Sequence, residues 1–204
     1  MEAPLTILYT HHIRGELNML PRMHTFIRRL RGELAEGRTF LVDLGDSCVP
    51  DVWPCAITEG RSTLIVLDAM GFHAANVTNL LSPVSRARLE PQVSLALVDE
   101  THPFIDDGIR FVASDVTRDT GTLTVQLSPA AAATLEEGVL RLPGLEHGQI
   151  GIARLSHERL VHEVHALPND TPPEPTVSGA VDFVRDEARY YEKRQREKDE
   201  KGEE

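Results

Sequence analysis

The strongest constraint on the fold is the alternation of short apolar runs with amphipathic stretches over the first 81 residues. Residues 5–9, 39–44 and 73–77 have the length and composition of buried strands. Between them, apolar side chains recur at intervals of three and four, which predicts helices over about 16–36 and 61–70. The simplest topology is a β-α-β-α-β unit with right-handed crossovers. The expected fold class is therefore α/β.

The second half of the chain has a different pattern of apolar residues. Short β-like runs occupy residues 93–98, 109–113, 122–127, 149–155 and 159–167. Because they follow one another without long amphipathic stretches, we expect them to pair in antiparallel fashion. With 204 residues, the chain has the length of one ordinary domain.

A proline-rich segment precedes the end of the chain. Residues 169–175 contain three prolines, which remove backbone donors and exclude a central strand or helix interior. Beyond it, apolar residues at helical spacing give way to alternating charges, which indicates a helix of which only the first half can pack. We therefore predict a domain over 1–168, a connector over 169–180 and a charged helix over 181–204.

Charge and terminal composition restrict the partners. The net charge of -11 and the pI near 5.3 disfavour binding to nucleic acid or to an anionic membrane surface. The first residues contain no basic segment followed by a long apolar stretch, so a cytoplasmic location is expected. The chain has two cysteines, Cys48 and Cys55, whose spacing fits no zinc motif or disulfide framework, and we predict reduced thiols.

Three motifs at the ends of the predicted strands carry a family resemblance. They are the string T-H-H-I-R-G at 10–15, D-L-G-D at 43–46 and G-F-H-A-A-N-V-T-N-L-L at 71–81. In order and spacing they resemble the T-N-D-x-H-G, G-D and G-N-H-E stations of calcineurin-like metallophosphoesterases of the 5'-nucleotidase branch. Residues 148–191 resemble the closing strands and last helix of that family more weakly. The resemblance implies a metallophosphoesterase-like β-sandwich with flanking helices.

The family hydrolyses phosphoesters with two metal ions, and most of the residues that would hold them are changed here. Asp46 and Asn79 match the family's bridging carboxylate and amide ligand. His12 stands at the position of the family's first metal-binding Asp, and Arg14 stands at the position of its first metal-binding His. The catalytic His and the acid that follows it fall at two leucines, Leu80 and Leu81.

These changes predict a shortened, degenerate relative without phosphatase activity. Arg14 keeps a positive charge where a dication should bind, and Leu80 can neither donate a proton nor stabilise a charged transition state. We expect a pseudoenzyme that serves as a binding or assembly module for a protein partner or a small phosphorylated ligand. No catalytic residue and no cofactor are assigned, and Arg14 is the candidate that binds the ligand's phosphate.

Two other functions remain open. A divergent, metal-dependent 5'-nucleotidase-like hydrolase would use one divalent cation (Mn, Fe or Zn) at His12, Asp46, Asn79 and a later histidine, His162 or His165. The last two lie three apart on a predicted strand, so they point to opposite faces and cannot bind one ion together. Alternatively, the charged terminal helix mediates assembly, for example into a homo-oligomer.

Overall fold

The computed structural model describes residues 4–34, 37–114, 122–156 and 159–202, and it has the expected α/β fold. The strands are β1 (Leu5–Thr10), β2 (Arg38–Asp43), β3 (Ala74–Asn76), β4 (Ala96–Val98), β5 (Phe104–Asp106), β6 (Ile109–Val112), β7 (Leu123–Ala130), β8 (Thr134–Glu136), β9 (Val139–Pro143), β10 (Gln149–Ser156) and β11 (Arg159–Ala166). The α-helices are α1 (Leu20–Glu33), α2 (Cys55–Thr58), α3 (Arg61–Ala69), α4 (Pro83–Leu89) and α5 (Pro175–Gly202).

The strands form two sheets. The first has the order β11-β10-β1-β2-β3-β4, in which β1 to β4 are parallel and β10 and β11 are antiparallel. This confirms the predicted β-α-β-α-β half. The second sheet has the order β5-β6-β7-β9-β8.

The expectation of antiparallel pairing in the second half holds only in part. Strands β10 and β11 are antiparallel, as are the hairpins β5–β6 and β8–β9. However, β7 runs parallel to both of its neighbours, β6 and β9, and β4 joins the parallel half of the first sheet. Strand direction depends on pairing partners distant in the chain, which local periodicity does not specify.

The central strands of the first sheet are buried on both faces, and their alternating side chains divide the core into two layers. In β1, Leu8 points to the layer shared with α1, α3 and α5, whereas Ile7 and Tyr9 point to the layer between the two sheets. All three are fully buried. The architecture is thus a two-sheet sandwich with helices packed on the outer face of the first sheet.

Helix α5 begins at Pro175, six residues before the predicted start at 181. Proline is favoured at the first helical position, and the carboxylate of Glu174 accepts a hydrogen bond of 2.7 Å from the N–H of Val177. The predicted connector also contacts the domain, because the Glu174 N–H donates to the carbonyl oxygen of Pro21 at 3.0 Å. Among the described residues, no helix is both long and apolar enough to cross a membrane.

The two cysteines are joined, which corrects the prediction of reduced thiols. Cys48 and Cys55 form a disulfide with a Cα–Cα distance of 5.7 Å. The segment between them turns back after β2 and brings both side chains against α3, where Thr63 donates a hydrogen bond of 3.3 Å to the sulfur of Cys48. A Cys spacing alone does not reveal such a turn, and Cα proximity is what permits the bond.

Candidate functional site

The loops that follow β1 and β2 are paired with each other. The backbone N–H groups of His12, Arg14 and Gly15 donate to the carbonyl oxygens of Gly45, Asp46 and Ser47 at 3.3, 2.8 and 2.9 Å, respectively. The hydrogen bonding of the parallel strands therefore continues past their carboxyl ends. This pairing brings the first two sequence motifs together, as their positions at adjacent strand ends predict.

The four residues singled out in these motifs share an unusual backbone conformation. His12, Arg14, Asp46 and Asn79 have φ angles of 59°, 55°, 53° and 60°. A non-glycine residue in this left-handed region is uncommon and costs on the order of 1 kcal/mol or more. Such conformations concentrate at binding and catalytic sites, where the loop geometry serves the side chains.

Imidazole and carboxylate groups cluster where the first two loops meet. The ligand-capable atoms of His11, His12 and Asp46 lie within 4.8 Å of one another. Nδ1 of His12 is 2.9 Å from Oδ2 of Asp46, yet it makes no hydrogen bond of acceptable geometry. Elsewhere in the described residues, no other group of three histidine, cysteine or acidic side chains comes this close together.

The side chain of His11 is held in place by the backbone of Leu145, in the second half of the chain. Its Nδ1 lies 3.2 Å from both the carbonyl oxygen and the amide nitrogen of Leu145, and its ring stacks on that of His12 at 4.0 Å between centroids. Burial, and then the neighbouring His12, lower the pKa of His11 below its ordinary value. At neutral pH its ring is therefore uncharged and has one nitrogen available as a lone-pair donor.

A buried carboxyl group lies behind this cluster. Asp43 accepts hydrogen bonds from the Thr10 hydroxyl at 2.7 Å and the Gly45 N–H at 3.1 Å. Burial raises the pKa of Asp43 to about 7. The two hydrogen bonds lower the pKa, but they offset only part of the effect of burial. Asp43 links the ends of β1 and β2 and supports the loop of Asp46 without reaching the surface.

A cavity of about 580 Å³ adjoins the cluster, and Asp46 is the residue they share. Its lining consists of Asp46, Cys48, Val49, Pro50, Cys55, Ala56, Glu59, Gly60, Asn76, Thr78, Asn79, Leu80 and Ser82. This set offers two carboxylates, two amides and two hydroxyls beside apolar groups and the disulfide. No arginine or lysine is among these lining residues, so the cavity does not itself attract an anion.

The third motif forms the far side of the cavity. Asn79 is exposed there, in the same cavity as Asp46. Leu80 is half-buried and packs onto Gly60, where an added Cβ would be 2.9 Å from the Cδ1 of Leu80. Asn76 ties this loop to both sheets by donating to the carbonyl oxygens of Leu44 and Leu127, each at 3.3 Å.

Arg14 lies next to the cavity rather than in its lining. Its backbone N–H bonds to Asp46, but its side chain is exposed and makes no ion pair or hydrogen bond within the described part of the chain. The guanidinium is therefore free to contact a ligand that approaches from solvent.

The later histidines are not brought to the cluster. His162 contacts the Tyr9 hydroxyl at 2.8 Å, and Nε2 of His165 lies 3.4 Å from a carboxylate oxygen of Glu163. Neither belongs to the group of ligand-capable atoms described above. The imidazole that joins His12 is instead its neighbour His11, whose only signal in the sequence was the adjacent pair of histidines.

No protein-family model and no curated protein matches the chain.

Proposed function

We propose that the chain is a degenerate metallophosphoesterase-like protein that binds a ligand at the ends of β1, β2 and β3 without hydrolysing it. The observation that carries this proposal is Leu80. By the resemblance, Leu80 occupies the sequence position of the family's catalytic histidine. Its side chain packs on Gly60 and lines the cavity. A hydrocarbon side chain at this point cannot supply acid catalysis or charge stabilisation.

The ligand proposed from this geometry is a small phosphorylated molecule. Its phosphate would contact the exposed guanidinium of Arg14, which has no competing partner among the described residues. Its uncharged part would enter the cavity, where amides and hydroxyls such as Asn79, Thr78 and Ser82 offer hydrogen bonds. The carboxylates of Asp46 and Glu59 disfavour a second phosphate inside the cavity.

Titration calorimetry with nucleoside monophosphates and sugar phosphates tests this binding. We expect one ligand class to bind, and Arg14→Gln to weaken it about tenfold through loss of a charge-assisted hydrogen bond. Arg28→Gln, at an exposed position on α1, is the matched control and should bind as the wild type does. Absence of any heat that depends on Arg14 would overturn the proposal.

The second candidate is a divergent phosphoesterase with one ion at His12, Asp46 and Asn79. It is favoured by the 2.9 Å approach of His12 to Asp46. Hydrolysis of bis-p-nitrophenyl phosphate with added Mn²⁺ separates the two candidates. Turnover that disappears in Asp46→Ala supports the hydrolase, whereas two inert and equally folded proteins support the non-catalytic binding module.

A cytoplasmic location is also part of the proposal, and the disulfide makes it testable. Disulfides persist mainly in oxidising compartments, so a stable Cys48–Cys55 bond in cells would argue for another location. Trapping of thiols with an alkylating reagent during cell lysis, followed by mass spectrometry, distinguishes the two states.

A further inference from the structure

We propose that His11, His12 and Asp46 form a binding site for a single transition-metal ion. This site differs from the two-metal centre of the family that the sequence resembles, because His11 has no counterpart among that family's ligands. The proposal does not depend on phosphate binding at Arg14 or on hydrolysis.

The first argument is the distance between His12 and Asp46. Two donors that each bind one ion at about 2.1 Å, with an angle near 90 to 110°, lie about 3.0 to 3.4 Å apart. Nδ1 of His12 and Oδ2 of Asp46 are 2.9 Å apart, just below that range. The separation suits an ion pair, although Nδ1 of His12 has no hydrogen bond of acceptable geometry. It also brings the two atoms close enough to be neighbouring ligands of one ion after a small adjustment.

The second argument is the support of His11. Histidine ligands of metals usually donate the N–H of their other ring nitrogen to a carbonyl or carboxylate, which fixes the tautomer and the ring orientation. Nδ1 of His11 is 3.2 Å from both the carbonyl oxygen and the amide nitrogen of Leu145. Donation to the carbonyl oxygen leaves the lone pair on Nε2, whereas acceptance of the Leu145 N–H leaves the proton there. Metal binding through Nε2 selects the first of these two tautomers. The side chain is only 8% exposed, so its position is held by the fold.

The third argument concerns the kind of metal. Two imidazoles and one carboxylate favour Zn²⁺, Co²⁺ or Fe²⁺ over Mg²⁺ and Ca²⁺, which prefer oxygen ligands. Three protein ligands leave a coordination position open. Because Asp46 also lines the cavity, a water molecule or a donor group of a ligand in the cavity would complete the coordination. The exposed Arg14 side chain makes no hydrogen bond or ion pair with the cluster.

The test uses the full chain without a histidine tag, treated with a chelator and then titrated with Co²⁺ or Zn²⁺. We expect one ion per chain and visible absorption bands of bound Co²⁺. His11→Gln, His12→Gln and Asp46→Asn should each weaken binding by more than the roughly 10- to 100-fold caused by loss of a supporting contact. His102→Gln, an exposed histidine beside Asp99, should bind the ions as the wild type does.

The alternatives give different results. Absence of stoichiometric binding overturns the proposal, as does binding that His11→Gln leaves unchanged or that His102→Gln weakens equally. Thermal denaturation of each variant identifies loss of fold, and the half-exposed His12 and Asp46 provide tests that do not disturb the core. Arg14→Gln separates this proposal from the previous one, because it should weaken phosphate binding about tenfold and leave one metal ion per chain.

Discussion

The ring of Tyr9 lies across the backbone of Gly151, and its hydroxyl group is 2.8 Å from Nε2 of His162 on the outer strand β11. Tyr9 pairs with Gly151 in the sheet, so the missing side chain creates the space that the ring fills. Burial raises the pKa of the Tyr9 hydroxyl, which stays protonated, and lowers that of His162. The side chain of Tyr9 on β1 thus packs over β10 and reaches β11, so it connects three adjacent strands.

A methyl group at this glycine should therefore be destabilising. The added Cβ of Gly151→Ala would lie 2.1 Å from Cε1 of Tyr9, whose side chain is fully buried. We expect the free energy of unfolding, measured by urea denaturation, to fall by about 2 to 3 kcal/mol. Gly179→Ala is the control, because nothing lies within 4 Å of the new Cβ on α5. It should raise stability by about 0.5 to 1 kcal/mol. Equal effects of the two substitutions would contradict the contact.

The disulfide should contribute measurably to stability. Closing a loop of this length removes unfolded-state entropy worth about 2 to 3 kcal/mol. The double variant Cys48→Ala, Cys55→Ala should therefore unfold at lower urea concentration than the wild type. Dithiothreitol should lower the wild-type midpoint and leave that of the variant unchanged. Two free thiols in the native wild type, counted by mass after alkylation, would refute the bond.

The buried carboxyl group of Asp43 should make stability depend on pH. Its pKa is about 7 in the folded protein, against 3.8 for an ordinary aspartate, so the folded state holds a proton that the unfolded state releases. Stability from this group is present below pH 4 and is lost as pH rises to about 7, by at most about 4 kcal/mol. Asp43→Asn resembles the neutral form and should lack this loss.

The comparison between wild type and Asp43→Asn is needed because histidines act in the opposite direction. Burial lowers the pKa of His11, His24 and His73, so their contribution to stability grows as pH rises towards 6.5. These contributions cancel in the difference between the two proteins. A difference that does not change between pH 4 and 7 would show that Asp43 is ionised in the fold.

The first half of helix α5 packs on the domain, so it should contribute to the stability of the fold. Val184 is fully buried against the first sheet and its helices, whereas its neighbour Phe183 is 61% exposed. Val184→Ala should cost about 2 kcal/mol in stability, from lost burial and the cavity that remains. Phe183→Ala should change stability by less than about 0.5 kcal/mol. If both are neutral, the helix does not pack as described.

Local patterns predicted the parts of the fold that depend on neighbouring residues. The β-α-β-α-β half follows from periodicity, and the meeting of His12 with Asp46 follows from their places after adjacent parallel strands. The role of His11 was not predictable in this way, because it depends on Leu145, 134 residues away. The same limit applies to the parallel pairing of β7 and to the disulfide, which require knowledge of tertiary turns.

The left-handed backbone at His12, Arg14, Asp46 and Asn79 has a consequence for protein engineering. Glycine adopts this conformation without steric penalty, so a chain selected for thermal resistance alone would gain by placing glycine at such positions. A glycine variant with a higher melting temperature and weaker binding of ligand or metal would show that these loops give up stability in exchange for the proposed site.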